Sequence, residues 1–82
     1  MDERIEDIIY QALNSAIACS VLEVDGDGRH FDALVVSDEF INKSRLERHR
    51  IIYNILGDRM KEQIHALSIK LYTMEEWENL NG

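Results

Sequence analysis

The stretch from Ile64 to Trp77, IHALSIKLYTMEEW, constrains the fold more than any other, since it specifies a strand, a helix start and a histidine at the strand's mouth. Leu67, Ile69 and Leu71 alternate with Ser68, Lys70 and Tyr72, the two-residue period of a strand with one face buried. Thr73 followed by Glu76 is a capping box, in which each side chain satisfies a backbone N–H at the start of a helix. Tyr72 before that cap and Trp77 after it are spaced to close as a hydrophobic staple. His65 shares the parity of Leu67, Ile69 and Leu71. It is expected on the core-facing side of the strand, at the open end, with one ring nitrogen free to reach outward.

The rest of the chain supplies what that strand needs for pairing and cover. Ile5, Ile8, Ile9, Ala12 and Leu13 recur at helical spacing, with Asp2 placed to cap the helix they predict. Ala18 to Val24 reads as a strand rich in branched residues. The turn DGDGR from Asp25 to Arg29 then reverses the chain into a second strand over His30 to Val36, making a hairpin. After SDEFINK, a second capping box of Ser44 and Glu47 opens a helix whose apolar face carries Leu46, His49, Tyr53 and Leu56, with Ile52 beside them. Gly57 is placed to end it in a left-handed cap. Asp58 starts a short further helix through Gln63, ahead of the strand described first.

The predicted order is α-β-β-α-α-β-α, an α+β two-layer sandwich with the helices on one face of a three-stranded mixed sheet. A helical crossover precedes the third strand, so that strand is expected to run parallel to one strand of the hairpin through a right-handed connection. No linker, repeat or low-complexity segment divides the 82 residues, so residues 1–82 are read as a single domain.

Composition narrows the function. A formal charge of −7 repels polyanions, so nucleic-acid binding would need a local basic patch to neutralise phosphates. Lys43, Arg45, Arg48 and Arg50 form one, interrupted only by Glu47 among the charged residues, although such a run is commonly a solvated helix face. No apolar run approaches the ~20 residues that span a bilayer, so no membrane role is expected. The N-terminal MDERIEDII has no basic-then-apolar layout of a signal peptide, and a single cysteine, Cys19, makes no internal disulfide. Both predict a cytoplasmic protein. No nucleophile is paired with a base, and no glycine loop would cradle a phosphate, so no enzyme is expected. His30, His49 and His65 lack the close spacings of a self-contained metal site.

Three segments, FDALVVSDEF (31–40), LERHRIIYNIL (46–56) and IHALSIKLYTMEEW (64–77), together with the turn GDGRH, resemble the BolA family. The most specific elements are Arg48-His49-Arg50 and the pairs His65-Ala66, Tyr72-Thr73 and Glu76-Trp77. The first helix and strand match only in pattern. The resemblance implies a variant of the type II KH fold and a non-enzymatic partner of monothiol glutaredoxins. It also implies a two-iron, two-sulfur (2Fe-2S) cluster held between the two chains, with thiolates from the glutaredoxin and glutathione. The family's histidine just before the last strand falls on His65. Its second ligand, from the hairpin loop, falls on His30, directly before Phe31. Members that use a loop cysteine carry it near Asp27, which is not cysteine, and Cys19 lies in the first strand and is not carried over.

Imidazole is an adequate iron ligand that raises cluster potential and makes ligation proton-dependent. The function so implied is cluster transfer to an apo-protein acceptor, or iron, redox and stress signalling, with a homodimer of the isolated chain left open. The alternative is a DNA-binding transcriptional regulator. The segment 44–63 would then mimic a helix-turn-helix, with Lys43, Arg45, Arg48 and Arg59 on phosphates. The GXXG clamp of KH-type RNA binders is absent, since Gly57 is the only glycine between the two helices. His49 is read as a hydrogen-bonded core histidine and Cys19 as a small buried hydrophobe.

Overall fold

The computed structural model describes residues 4–62 and 64–81, with the backbone alone for Asp58, Arg59 and Ile64. In chain order it contains α1 (Ile5–Ala16), β1 (Val21–Gly26), β2 (Phe31–Val36), α2 (Arg45–Leu56), β3 (Leu67–Tyr72) and α3 (Met74–Asn81). Single 3₁₀ turns lie at Asp38–Phe40, Gly57–Met60 and Ile64–Ala66. This is the expected order, with the short helix after α2 reduced to the turn Gly57–Met60. Gln63, its expected end, and Asp2, the expected cap of α1, lie outside the described residues.

Strand β2 is central, antiparallel to β1 and parallel to β3. The register sets Leu22 and Val24 against Val35 and Ala33, and these in turn against Leu71 and Ile69. One parity of all three strands thus faces a single core. There they meet Ile9 and Leu13 of α1, Ile52 and Leu56 of α2, and Phe40, all 0–1 % exposed. Strand β1 begins later than the branched residues suggested. The Ala18 N–H donates to the Glu39 carboxylate at 2.7 Å, and its carbonyl accepts from Ser37 Oγ at 2.7 Å. Side chains therefore hold residue 18 where ladder bonds were expected.

Both capping boxes form. Ser44 and Glu47 exchange bonds at 3.1 Å each, and Glu76 accepts from the Thr73 N–H at 2.8 Å while its own N–H donates to Thr73 Oγ1 at 3.2 Å. The staple also closes, with the Tyr72 and Trp77 rings 5.8 Å apart. Trp77 lies beside Leu34 and Lys70 of the outer sheet face, whereas Glu76, one residue earlier, reaches Arg48 of α2. Helix α3 accordingly flanks the β3 side of the sheet, while α1 and α2 cover the core face.

Gly57 has the positive φ expected of a helix terminator, 54°, but its ψ of −145° is not that of a left-handed helical cap. It occupies the extended positive-φ region open essentially to glycine alone. The apolar face expected for α2 is corrected as well. Leu46 is 59 % exposed and Tyr53 38 %, and the buried stripe is Ile52 and Leu56, backed by Ile51 and Ile55. The cause is Arg48. It is drawn inward over the Phe40 ring, 5.9 Å from the centroid, and pairs with Glu76 through two hydrogen bonds of 2.7 and 3.1 Å. With Arg48 on the inner side, Leu46 and Tyr53 turn to solvent.

Candidate functional site

The loop joining β1 to β2 is Asp27–His30, folded by the Asp27 carboxylate, whose Oδ1 accepts from the N–H groups of Arg29 (2.9 Å) and His30 (2.7 Å). These bonds stabilise the carboxylate and lower its pKa, with the nearby His30 ring adding to the effect. Gly28, at φ 94°, takes the one backbone conformation in this loop that a side chain would strain. The loop presents His30 with its side chain 76 % exposed and Nδ1 3.8 Å from Asp27 Oδ2.

His65 sits in the turn Ile64–Ala66 that leads into β3, and it is exposed. The expectation that it would share the core-facing side of the strand is corrected, because the strand's alternation starts at Leu67 and does not extend back into the turn. The outward reach of the ring is as expected. Phe31 pairs with Leu67 in the parallel ladder, so His30 and His65 stand just before the starts of adjacent strands, at the same end of the sheet. Adjacent strands lie about 4.8 Å apart, so the two exposed histidines belong to one solvent-facing rim at that end of the sheet.

Among the described residues, no group of three or more histidine, cysteine or carboxylate side chains is arranged to hold a metal ion. Two exposed imidazoles at one end of the sheet are fewer donors than a complete metal site needs. Cys19 adds nothing to it. Its thiol is half-buried and directed at the Ile17 carbonyl, 3.5 Å away. Burial, with a smaller contribution from Glu39, pushes its pKa up, the opposite of what a reactive thiolate needs.

The basic residues behave differently from one another. Lys43 and Arg45 are exposed at the start of α2. Arg48 is only 14 % exposed at its side chain and is engaged by Glu76, by the Lys43 carbonyl at 3.0 Å and by the Leu71 carbonyl at 3.4 Å. Arg48 is thus a structural clamp between α2, β3 and α3, which corrects its assignment to phosphate contacts. The Arg59 side chain lies outside what is described. The helix-turn-helix reading also loses its second helix, since Gly57–Met60 is one 3₁₀ turn where a recognition helix would need several turns. His49 bonds the Arg45 carbonyl of its own helix at 2.9 Å and stacks near Tyr53, so it does not fix helix to sheet. Sequence reasoning missed that Lys43, Arg45 and Lys70 line one groove between α2, β3 and α3. Lys70 is remote in sequence from the other two, and only β3's placement beside α2 joins them.

The sequence profile of the family described as BolA-like protein matches residues 6–76. The chain belongs to the BolA family. Among its relatives is the DNA-binding transcriptional regulator BolA of Escherichia coli K12, 42 % identical over 55 residues that cover 67 % of this chain and 52 % of the relative. This chain thus spans about half the length of that regulator. The acid stress protein IbaG of the same organism is 36 % identical over 78 residues, 90 % of this chain and 93 % of the relative. The structure of a BolA homologue from Coxiella burnetii superposes with a TM-score of 0.75 at 40 % identity, covering 94 % of this chain and 99 % of that one. The BolA fold thus stands on sequence and structure together.

Proposed function

We propose that this BolA-family protein is a cytoplasmic, non-enzymatic adaptor that joins a monothiol glutaredoxin and shares a 2Fe-2S cluster with it. It would act in cluster transfer to an apo-protein or in iron, redox and stress signalling. The observation that carries this reading is the rim where exposed His30 and His65 stand before adjacent parallel strands. Two imidazoles on a solvent-facing edge make an incomplete donor set, and a partner's thiolates would complete it. His65 and His30 would hold this chain's side of the cluster, which when bound supplies one-electron chemistry and transferable iron and sulfide. The residues behind the rim keep it in place. Asp27 fixes the hairpin loop through the backbone of Arg29 and His30, and the Phe31–Leu67 pairing brings the two segments that carry the histidines to the same end of the sheet. The test is anaerobic titration of cluster-loaded monothiol glutaredoxin and glutathione with this protein, followed by sedimentation. A one-to-one heterodimer with an altered visible spectrum supports the reading, and an unchanged glutaredoxin spectrum and size refutes it.

DNA-binding regulation is the second reading, favoured by the similarity to the Escherichia coli DNA-binding transcriptional regulator BolA and by the exposed Lys43 and Arg45. It is separated from the first by salt. Affinity carried by two phosphate contacts would fall with a slope of about −2 in a plot of log affinity against log salt, whereas adaptor binding through histidine ligation would show no such dependence.

A further inference from the structure

The basic groove beside α2 runs along a sheet edge that carries unused backbone donors and acceptors, that of β3. The Ser37 N–H donates to the Tyr72 carbonyl at 2.9 Å, so the backbone of Tyr72 points toward β2. Because these groups alternate along a strand, Ser68 and Lys70 also point toward β2, and Leu67, Ile69 and Leu71 point away from it. The Arg48 guanidinium reaches the Leu71 carbonyl from that outer side at 3.4 Å, which places the free edge of β3 in the groove. Among the described residues, no hydrogen bond reaches the amide or carbonyl of Ile69 from that side. Exposed β edges are ordinarily covered or blocked. This one lies open at the floor of a cleft of about 850 Å³ lined by Lys43, Arg45, Ile69, Lys70, Leu71 and Leu80 among others.

The walls of the cleft define what would fit. Arg48 and Glu76 neutralise each other, leaving Lys43, Arg45 and Lys70 as three cations around the edge in a protein whose net charge is −7. Leu80, at the rim on α3, is 63 % exposed and offers an apolar contact. We propose that the free edge of β3 captures an extended acidic segment of a partner protein as an added strand. Main-chain bonds to Ile69 and to the Leu71 amide would supply affinity, and carboxylates on the segment would face Lys43, Arg45 and Lys70. An oligonucleotide would satisfy the same cations, but it has no alternating amide donors and carbonyls to match the edge. This surface is separate from the histidine rim and does not depend on the cluster reading.

The probe is a fluorescein-labelled hexapeptide alternating aspartate and valine. Its controls are the same peptide N-methylated throughout, a lysine-valine peptide and single-stranded octathymidylate. Binding is followed by anisotropy, and the Ile69 and Leu71 amides by nitrogen-15 spectra and hydrogen exchange. The proposal expects the acidic peptide to slow exchange of the Ile69 amide at least tenfold at saturation. It also expects Lys43→Glu together with Arg45→Glu to weaken binding at least tenfold while the spectra show an intact fold. Equal binding of the N-methylated or lysine-valine peptide would overturn it. So would octathymidylate, and not the peptide, perturbing Ile69, or Ile69 protection that rises with protein concentration alone, which would mark pairing between copies of this chain.

Discussion

Replacing Glu76 with glutamine removes one charge from the clamp that joins α2, β3 and α3, and the cost follows from the structure. Glu76 accepts two hydrogen bonds from Arg48 and one from the Thr73 N–H, and these hold its pKa down at about 2, from 4.5, with Arg48 the larger cause. At ~1.4 kcal/mol for each pH unit, that displacement corresponds to about 3 kcal/mol. The Glu76 side chain is 44 % exposed, so solvent screening reduces the expected value to about 1–2 kcal/mol. A carboxylate whose pKa is lowered on folding stabilises the fold above its unfolded pKa, and that stability is lost as pH falls through 4.5 toward the folded value. Glu76→Gln should therefore lower stability at pH 7 by about 1–2 kcal/mol, a fall in Tm of roughly 4–15 °C for a domain of this size. The difference from wild type should shrink as pH falls below 4.5, with less than half left at pH 3. Urea melts of both proteins followed by circular dichroism at pH 7, 4.5 and 3 measure this directly. Coincident melts at pH 7, or a difference that does not change down to pH 3, would refute the clamp and its electrostatic origin.

Three further substitutions or reactions probe the scaffold. Gly57→Ala places a Cβ in open space but at φ 54° and ψ −145°, so it should destabilise by about 1–3 kcal/mol through backbone strain alone, read as a lower urea midpoint. Ser37→Ala removes the bond to the Ala18 carbonyl at 2.7 Å and the acceptor for the Glu39 N–H at 3.1 Å, at a fully buried residue. It should cost about 1–3 kcal/mol, and a melt matching wild type would contradict the bonds. Cys19, with its pKa raised by burial, should react with iodoacetamide at pH 7.5 several-fold more slowly than glutathione. Equal rates would show an accessible thiolate.

The strands, the hairpin, both capping boxes and the staple were legible because each is written locally. Alternation at 67–72, Asp27 with two glycines beside it, and Ser44-Glu47 and Thr73-Glu76 need no knowledge of distant residues. What was not legible depended on contacts across the fold. Helix α2 carries apolar residues on more than one side, so its periodicity alone did not choose between Leu46, His49 and Tyr53 and the Ile52–Leu56 stripe that is buried. The choice is made by Arg48 meeting Phe40 and Glu76, residues on three different elements. The candidate rim was half legible. His30 and His65 were singled out through the family resemblance, but their place at one end of the sheet rests on the parallel Phe31–Leu67 pairing. His65 was placed on the wrong face by carrying a strand's period into a 3₁₀ turn.

The most direct test of the central claim is anaerobic cluster reconstitution with a monothiol glutaredoxin and glutathione, comparing wild type with His65→Ala and His30→Ala by visible circular dichroism. The account predicts a mixed-complex signal in wild type that is lost in His65→Ala and altered in His30→Ala, with far-ultraviolet spectra unchanged. A signal identical in wild type and both variants would contradict it, because neither exposed imidazole of the rim would then touch the cluster.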